Sequence, residues 1–447
     1  MNHPRLAFAV HMPELVNHYD SIIDHLPHKP DVIISRPPSR PDGVRIAAMA
    51  EKKGCPVVWD TETPDGFEPY DAVISNHLHV LDDPERLLRW GRRHIRLMYS
   101  LGDFSWMFAD WNVHYDAALC YGPYQQRIFA ALFPEVRTAA VGYTRLDAAK
   151  GEIGDRRETI LGLGGDPDQQ LLLWLPTMGE LCSLDVYGDQ LAGLNDDYNV
   201  VVKPHPMTLT QIPATIERLK RLGFKVLEDP TLNNARLIKM ADFVLADYGG
   251  SLFAAILLDK NIVLLNMTGD MFMDFAGPLS PEIHLREHFV NIEPDLAGQV
   301  PRILQDEALW RDQKEIRRIY RENLFADVPV GEAGARAAAA ILRLAAEPPV
   351  SPKAAAPAGQ MNPELARIIP SDLLPKKFDR SWLPTAQWGA DKIAELKAEG
   401  FQLRDETAHL QKEISQLRHM GIFKFARRRI RLFFRERKKG VEPERQP

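Results

Sequence analysis

Residues Ala241–Leu265 read ADFVLADYGGSLFAAILLDKNIVLL, and their punctuation decides the fold class. Phe243-Val244-Leu245 is a short apolar run that ends at Asp247, as a buried strand does. Gly249-Gly250 breaks the run. Ser251 can then serve as N-cap to an apolar helix over Leu252–Leu258, which Asp259-Lys260 ends before a second buried strand at Ile262–Leu265. Strand, glycine turn, helix, strand is the repeating unit of a parallel α/β sheet. A glycine turn that opens onto a helix N-terminus also offers free N–H groups and the positive end of the helix dipole to an anion. Glycine pairs punctuate ordinary β-α crossovers too, so the turn alone leaves both roles open.

Working upstream, Val200–Pro206 reads VVVKPHP. Three β-branched residues predict a buried strand, and Lys203, Pro204, His205 and Pro206 follow at its carboxyl end. Ligands of open α/β sheets bind at that end. The two prolines stiffen the turn, so a cation and an imidazole are presented on a rigid support.

The same alternation extends both ways. Residues 1–150 predict a first α/β domain, with strands at Leu6–Val10, Asp31–Ser35, Pro56–Trp59, Ala72–Ser75, Arg96–Tyr99, Asp116–Tyr121 and Ala139–Gly142, and helices at His18–Leu26, Val44–Lys53 and Tyr124–Leu132. His77 and His79 fall just past one strand end. Residues 151–345 predict a second α/β domain, with strands at Leu171–Leu175, Asn199–Val202, Lys225–Leu227, Phe243–Ala246 and Ile262–Leu265. Its helices are expected at Gln211–Leu222, Asn233–Met240, Ser251–Leu258, Glu307–Leu324 and Gly331–Ala346, and Glu282–His288 reads as a polar loop.

Composition sets the limits. A chain of 447 residues with 45% hydrophobic and 26% charged residues has ample material for two or three cores. A net charge of -6 argues against a general nucleic-acid binder. Cys55, Cys120 and Cys182 are far apart, show no metal-type spacing and fit a reducing compartment. No acidic metal-binding motif stands out; Asp196-Asp197 reads as a loop, and neither a metal nor a cofactor is expected. The N-terminus lacks the basic and apolar regions of a signal peptide, and no apolar run approaches the ~18 residues of a membrane span.

Four motifs in order resemble the CDP-glycerol glycerophosphotransferase family, the teichoic-acid-polymerase-like enzymes with a GT-B fold. They are Val141–Asp147 (VGYTRLD), Leu171–Thr177 (LLLWLPT), Lys203–Pro206 (KPHP) and Ala246–Ile262 (ADYGGSLFAAILLDKNI). The resemblance implies two Rossmann-like domains around a cleft, with the donor held by Thr177, Lys203, His205, Asp247, Gly249, Gly250 and Ser251. It further implies that Lys203 and His205 neutralise charge on the leaving phosphate, an electrostatic role that requires no metal. Arg145 could reach a phosphate by its planar fork, or pair with Asp147.

The chain departs from the family at several points. The family's paired serines are Gly249-Gly250, its following acidic residue is Ala254, and its His-Gly pair is Tyr99-Ser100 within Ile95–Asp103. A tyrosine, with an ordinary pKa of about 10, is a poor base at neutral pH. Tyr99, Asp103, His77 and His79 therefore stand as candidates for the base, and His205 as a catalytic residue.

Beyond Ala346 the composition shifts. Residues 346–388 form a Pro- and Ala-rich linker. Residues 389–420 carry a heptad, with Ile393, Gly400, Thr407 and Ile414 on one seam position and Leu396, Leu403, Leu410 and Leu417 on the other. It predicts either a coiled coil that makes a homo-oligomer through Ile393–Leu417, or a single amphipathic helix on its own body. Residues 421–447 begin with GIFKFARRRIRLFFRERKK, Gly421–Lys439, which holds nine Lys or Arg against one Glu and four Phe. Basic and aromatic residues so mixed suit an anionic membrane surface, which places the protein in the cytoplasm, peripheral on the inner face of the cell membrane.

The expected activity is transfer of a polyol phosphate or a sugar from a CDP-type activated donor to a cell-surface glycan or lipid-linked acceptor. Two other readings remain: a UDP-sugar glycosyltransferase or nucleotide-sugar 2-epimerase-like enzyme, and a degenerate, non-catalytic nucleotide-binding membrane scaffold.

Overall fold

The structure, a computed structural model, describes residues 3–35, 38–60, 67–77, 88–102, 107–108, 110–151, 156–267 and 280–347. The described residues lie in one unit, Met1–Leu383. Most of the linker, the heptad segment and the basic tail lie outside the described residues.

Seven strands form the first sheet: β1 (Leu6–Val10), β2 (Asp31–Ile34), β3 (Val57–Trp59), β4 (Ala72–Ser75), β5 (His94–Leu97), β6 (Ala117–Cys120) and β7 (Arg137–Ala140). Six form the second: β8 (Gln170–Leu175), β9 (Tyr198–Val202), β10 (Lys225–Val226), β11 (Phe243–Ala246), β12 (Asn261–Leu265) and β13 (Asn291–Ile292). The orders are β3-β2-β1-β4-β5-β6-β7 and β10-β9-β8-β11-β12-β13. Every pairing is parallel. Each sheet therefore reverses its winding once, between β1 and β4 and between β8 and β11. A crevice opens at such a switch point, outside the carboxyl ends of the strands.

The strand sequences explain the layering. LAFAV in β1, YNVVV in β9 and FVLA in β11 are buried at every position, as strands covered on both faces must be. Helices supply the cover. The 333–346 helix (Ala333–Ala346) lies far along the chain, yet Ala337, Ile341 and Leu344 share a core with Leu6, Phe8 and Ile22 of the first lobe. Arg93 Nη1 donates to Ala345 O at 2.5 Å, and a Cβ on Gly334 would meet Ser21 Oγ at 2.5 Å, so only glycine permits this approach. Asp147 accepts the N–H of Gly331 at 2.8 Å and of Gly334 at 2.6 Å, holding the start of that helix.

Several elements differ from expectation. The first helix runs Pro13–His25, not from His18, because Pro13 suits its first turn. The helix expected over Gln211–Leu222 runs Pro213–Arg221, and a further short helix, Pro206–Gln211, precedes it; Pro213 has no N–H to continue that one. The polar loop at Glu282–His288 is the helix Pro281–His288, preceded by Ser280. The strand β13 gave no apolar signal of its own because it has only two residues. Among the described residues no helix is long and apolar enough to cross a membrane.

Candidate functional site

The carboxyl ends of the two sheets meet. Asn17 Nδ2, on the Pro13–His25 helix, donates to Thr231 O of the second lobe at 3.1 Å. Asn233 Nδ2 donates to Arg145 O at 3.1 Å. A Cβ on Gly250 would lie 3.1 Å from Ser100 Oγ, just past β5. The cleft is thus lined by the segments that leave β1, β4 and β5 on one side, and β8, β9 and β11 on the other.

On the second lobe, β9 delivers Lys203, Pro204 and His205. Lys203 is buried, with Nζ 3.4 Å from Pro204 O. Burial and then the neighbouring Arg145 guanidinium push its pKa down to about 8. His205 is the N-cap of the Pro206–Gln211 helix, and its Nδ1 accepts the Met207 N–H at 3.2 Å. That bond leaves the proton on Nε2. Burial, with Lys203 and Arg145 nearby, pushes the imidazole down to about 4. His205 is therefore neutral at pH 7 and offers a hydrogen bond, not a positive charge. The cations beside it are Lys203 and Arg145.

After β11 the helix begins at Gly250 and runs to Leu257, and its N-cap is Gly249, not Ser251. Gly249 has φ 97°, where glycine alone is unstrained, and any Cβ there would lie 3.4 Å from Thr177 Oγ1. Ser251 Oγ accepts from Asn234 Nδ2 at 3.4 Å. Asp247, expected to touch the donor, has no exposed surface. Oδ1 accepts the N–H of Thr177 at 2.8 Å and of Tyr248 at 2.6 Å; Oδ2 accepts both the N–H and Oγ–H of Ser183 at 2.8 Å. Its carboxylate therefore ties the ends of β8 and β11 to the start of the Leu184–Leu191 helix, although burial pushes it up to about 6. Arg286 adds a further cation at this edge. Its guanidinium lies 4.0 Å from the Tyr248 ring centroid and donates to Asp247 O.

The first lobe presents a different surface. The His77 ring lies 4.3 Å from Tyr99 and 5.0 Å from His11. His18 stacks on Tyr143 at 6.0 Å and stands edge-on to Tyr99 at 6.4 Å. The fold thus brings two candidate base positions, His77 and Tyr99, into one cluster, while His79 and Asp103 lie outside the described residues. His18 is buried, and burial with the nearby Arg145 holds its pKa well below the usual imidazole value. Glu14, one turn before His18 on the same helix face, has its carboxyl raised by burial against the opposing pull of Arg145 and Lys203. Arg145 does not take Asp147 as partner, because that carboxylate holds the 333–346 helix.

Sequence reasoning missed Glu14, His18 and Arg286. The helical spacing of Glu14 and His18 after β1 was the available signal; Arg286 is set by contacts between segments far apart in the chain. Among the described residues no group of three or more His, Cys, Asp or Glu side chains is placed to hold a metal ion. A separate cavity of about 260 Å³, lined by Arg5, Lys29, Asp31 and Tyr70 among others, opens at the opposite, amino end of the first sheet.

Two Rossmann-like lobes with facing carboxyl edges define a GT-B-like α/β fold. Solved structures agree. The wall teichoic acid polymerase TagF superposes with a TM-score of 0.52 at 14% identity, covering 76% of this chain and 88% of that one. The Staphylococcus aureus MnaA–UDP complex gives 0.51 at 13% identity, covering 74% and 94%. No family model matches the sequence, and no curated protein does. At these identities the likeness is one of fold, and it fits the resemblance drawn from the four motifs.

Proposed function

We propose that the protein is a transferase that moves a polyol phosphate of the glycerol-phosphate kind, or a sugar, from a nucleotide-activated donor to a glycan or lipid-linked acceptor. The observation that carries this reading is the convergence of Lys203 and the His205 Nε2–H, at the mouth of the second lobe's strands, with Arg145 of the first lobe. Two cations and a neutral donor in a partly dry cleft suit a diphosphate, and they stabilise the charge that grows on it as the bond to the transferred group breaks. The second lobe would hold the donor and the first the acceptor. The Gly421–Lys439 segment would keep the protein at an anionic membrane surface, and Ile393–Leu417 would pair its copies.

A UDP-linked donor is the second reading. It is favoured by the Gly249-Gly250 turn, which lacks the family's serine hydroxyls, and by the overlay on MnaA bound to UDP.

Calorimetric and thermal-shift titration with CDP, UDP, GDP and CMP tests both. Wild type is compared with Lys203→Met and with His205→Asn, which retains an N-cap acceptor while removing the imidazole. Selective CDP binding weakened in both variants supports the first reading, and selective UDP binding the second. Absence of binding by every nucleotide would leave a non-catalytic membrane scaffold.

A further inference from the structure

The start of the Gly250–Leu257 helix already carries an anion. Glu282 Oε1 accepts the Gly249 N–H at 2.5 Å, and its Oε2 accepts Ser280 Oγ–H at 2.9 Å. The residue is only 2% exposed. It also touches the first lobe: a Cβ on Gly102 would overlap its carboxylate. Gly102 in turn donates its N–H to Ser100 Oγ at 3.1 Å, and Ser100 is the residue that packs on Gly250. One carboxylate is therefore enclosed between a loop of each lobe.

We propose that Glu282 is the resident anion of the donor-phosphate seat, bound to the Gly249 N–H until a nucleotide's phosphate displaces it. The inference rests on the donor-site reading above. A carboxylate and a phosphate oxygen seek the same N–H and the same end of the helix dipole, and like charges cannot share them. Donor binding must then move Glu282. Because Glu282 lies between Gly102 and Gly249, its departure also loosens the contact between the lobes, so nucleotide affinity is set below what the cations alone would give.

Two variants approach the same carboxylate from different sides. Glu282→Gln keeps the size and removes the charge. Gly102→Ala keeps the charge and pushes the side chain off the turn. Calorimetric titration of full-length wild type and both variants with CDP, UDP and inorganic pyrophosphate is expected to show about tenfold tighter binding in each variant, the size of one charge-assisted hydrogen bond no longer displaced. Pyrophosphate should follow the nucleotides, since the competition is for phosphate. Nucleotide binding of equal strength in all three proteins would overturn the proposal and leave the donor site standing. If none of the three binds any nucleotide or pyrophosphate, the donor-site reading fails and this inference with it.

Discussion

The two strand-end surfaces that face each other across the cleft share a topology and differ in chemistry. Each follows strands ordered 3-2-1-4-5-6 within its own lobe, with a seventh strand added to the first, yet the first presents mainly rings and the second mainly charge. On the first lobe, His11, His18, His77 and Tyr99 are packed against one another. Desolvation there disfavours the imidazolium, as at His18. On the second, Lys203 retains its proton at pH 7 despite burial, and Arg286 stands beside the glycine turn. The same backbone frame thus carries a ring cluster on the first lobe and Lys203 with Arg286 on the second, while Arg145 of the first lobe bridges the two chemistries, close to both His18 and Lys203. The frame allots positions, and the residues after each strand allot the chemistry.

The largest effect is expected at Asp247. Asp247→Ala leaves the N–H groups of Thr177, Tyr248 and Ser183 without their buried acceptor, and we expect a loss of about 3 kcal/mol in chemical denaturation, with nucleotide binding lost alongside it. An unchanged midpoint would show that the second lobe's edge does not depend on this clamp. Lys203→Met should weaken CDP or UDP binding by about 30-fold, roughly 2 kcal/mol, while the fold survives because a buried ammonium gives way to an apolar side chain.

The pH dependence sharpens the same point. Lys203 is protonated below about 8 and loses its charge above it, so affinity should fall as pH rises through about 8 in wild type and stay flat in Lys203→Met. A profile that rises instead would assign the charge elsewhere. The smallest effect is expected on the aromatic wall. His18 holds no charge at neutral pH, so His18→Phe should change nucleotide affinity by less than about twofold. A larger change would show that the ring cluster itself touches the nucleotide.

Much of the fold was legible in the chain. The apolar runs at Val200–Val202, Phe243–Leu245 and Ile262–Leu265 announced buried parallel strands, and Lys203 and His205 were placed at a strand end by adjacency alone. Helix starts were less legible, because Pro13 and Pro213 act through a missing N–H and a fixed φ that apolar periodicity does not register. Local sequence determined that Gly249 would turn the chain, since its φ of 97° is a property of one residue. Only the tertiary structure decided what that turn holds and what faces it. Glu282 reaches Gly249 across 33 positions, and the 333–346 helix returns to a core begun at Leu6. Hydrophobic period is written in neighbouring residues, whereas the charge state of His205 and the inward turn of Asp247 arise from burial and from charges brought near by packing, which no short stretch of sequence contains.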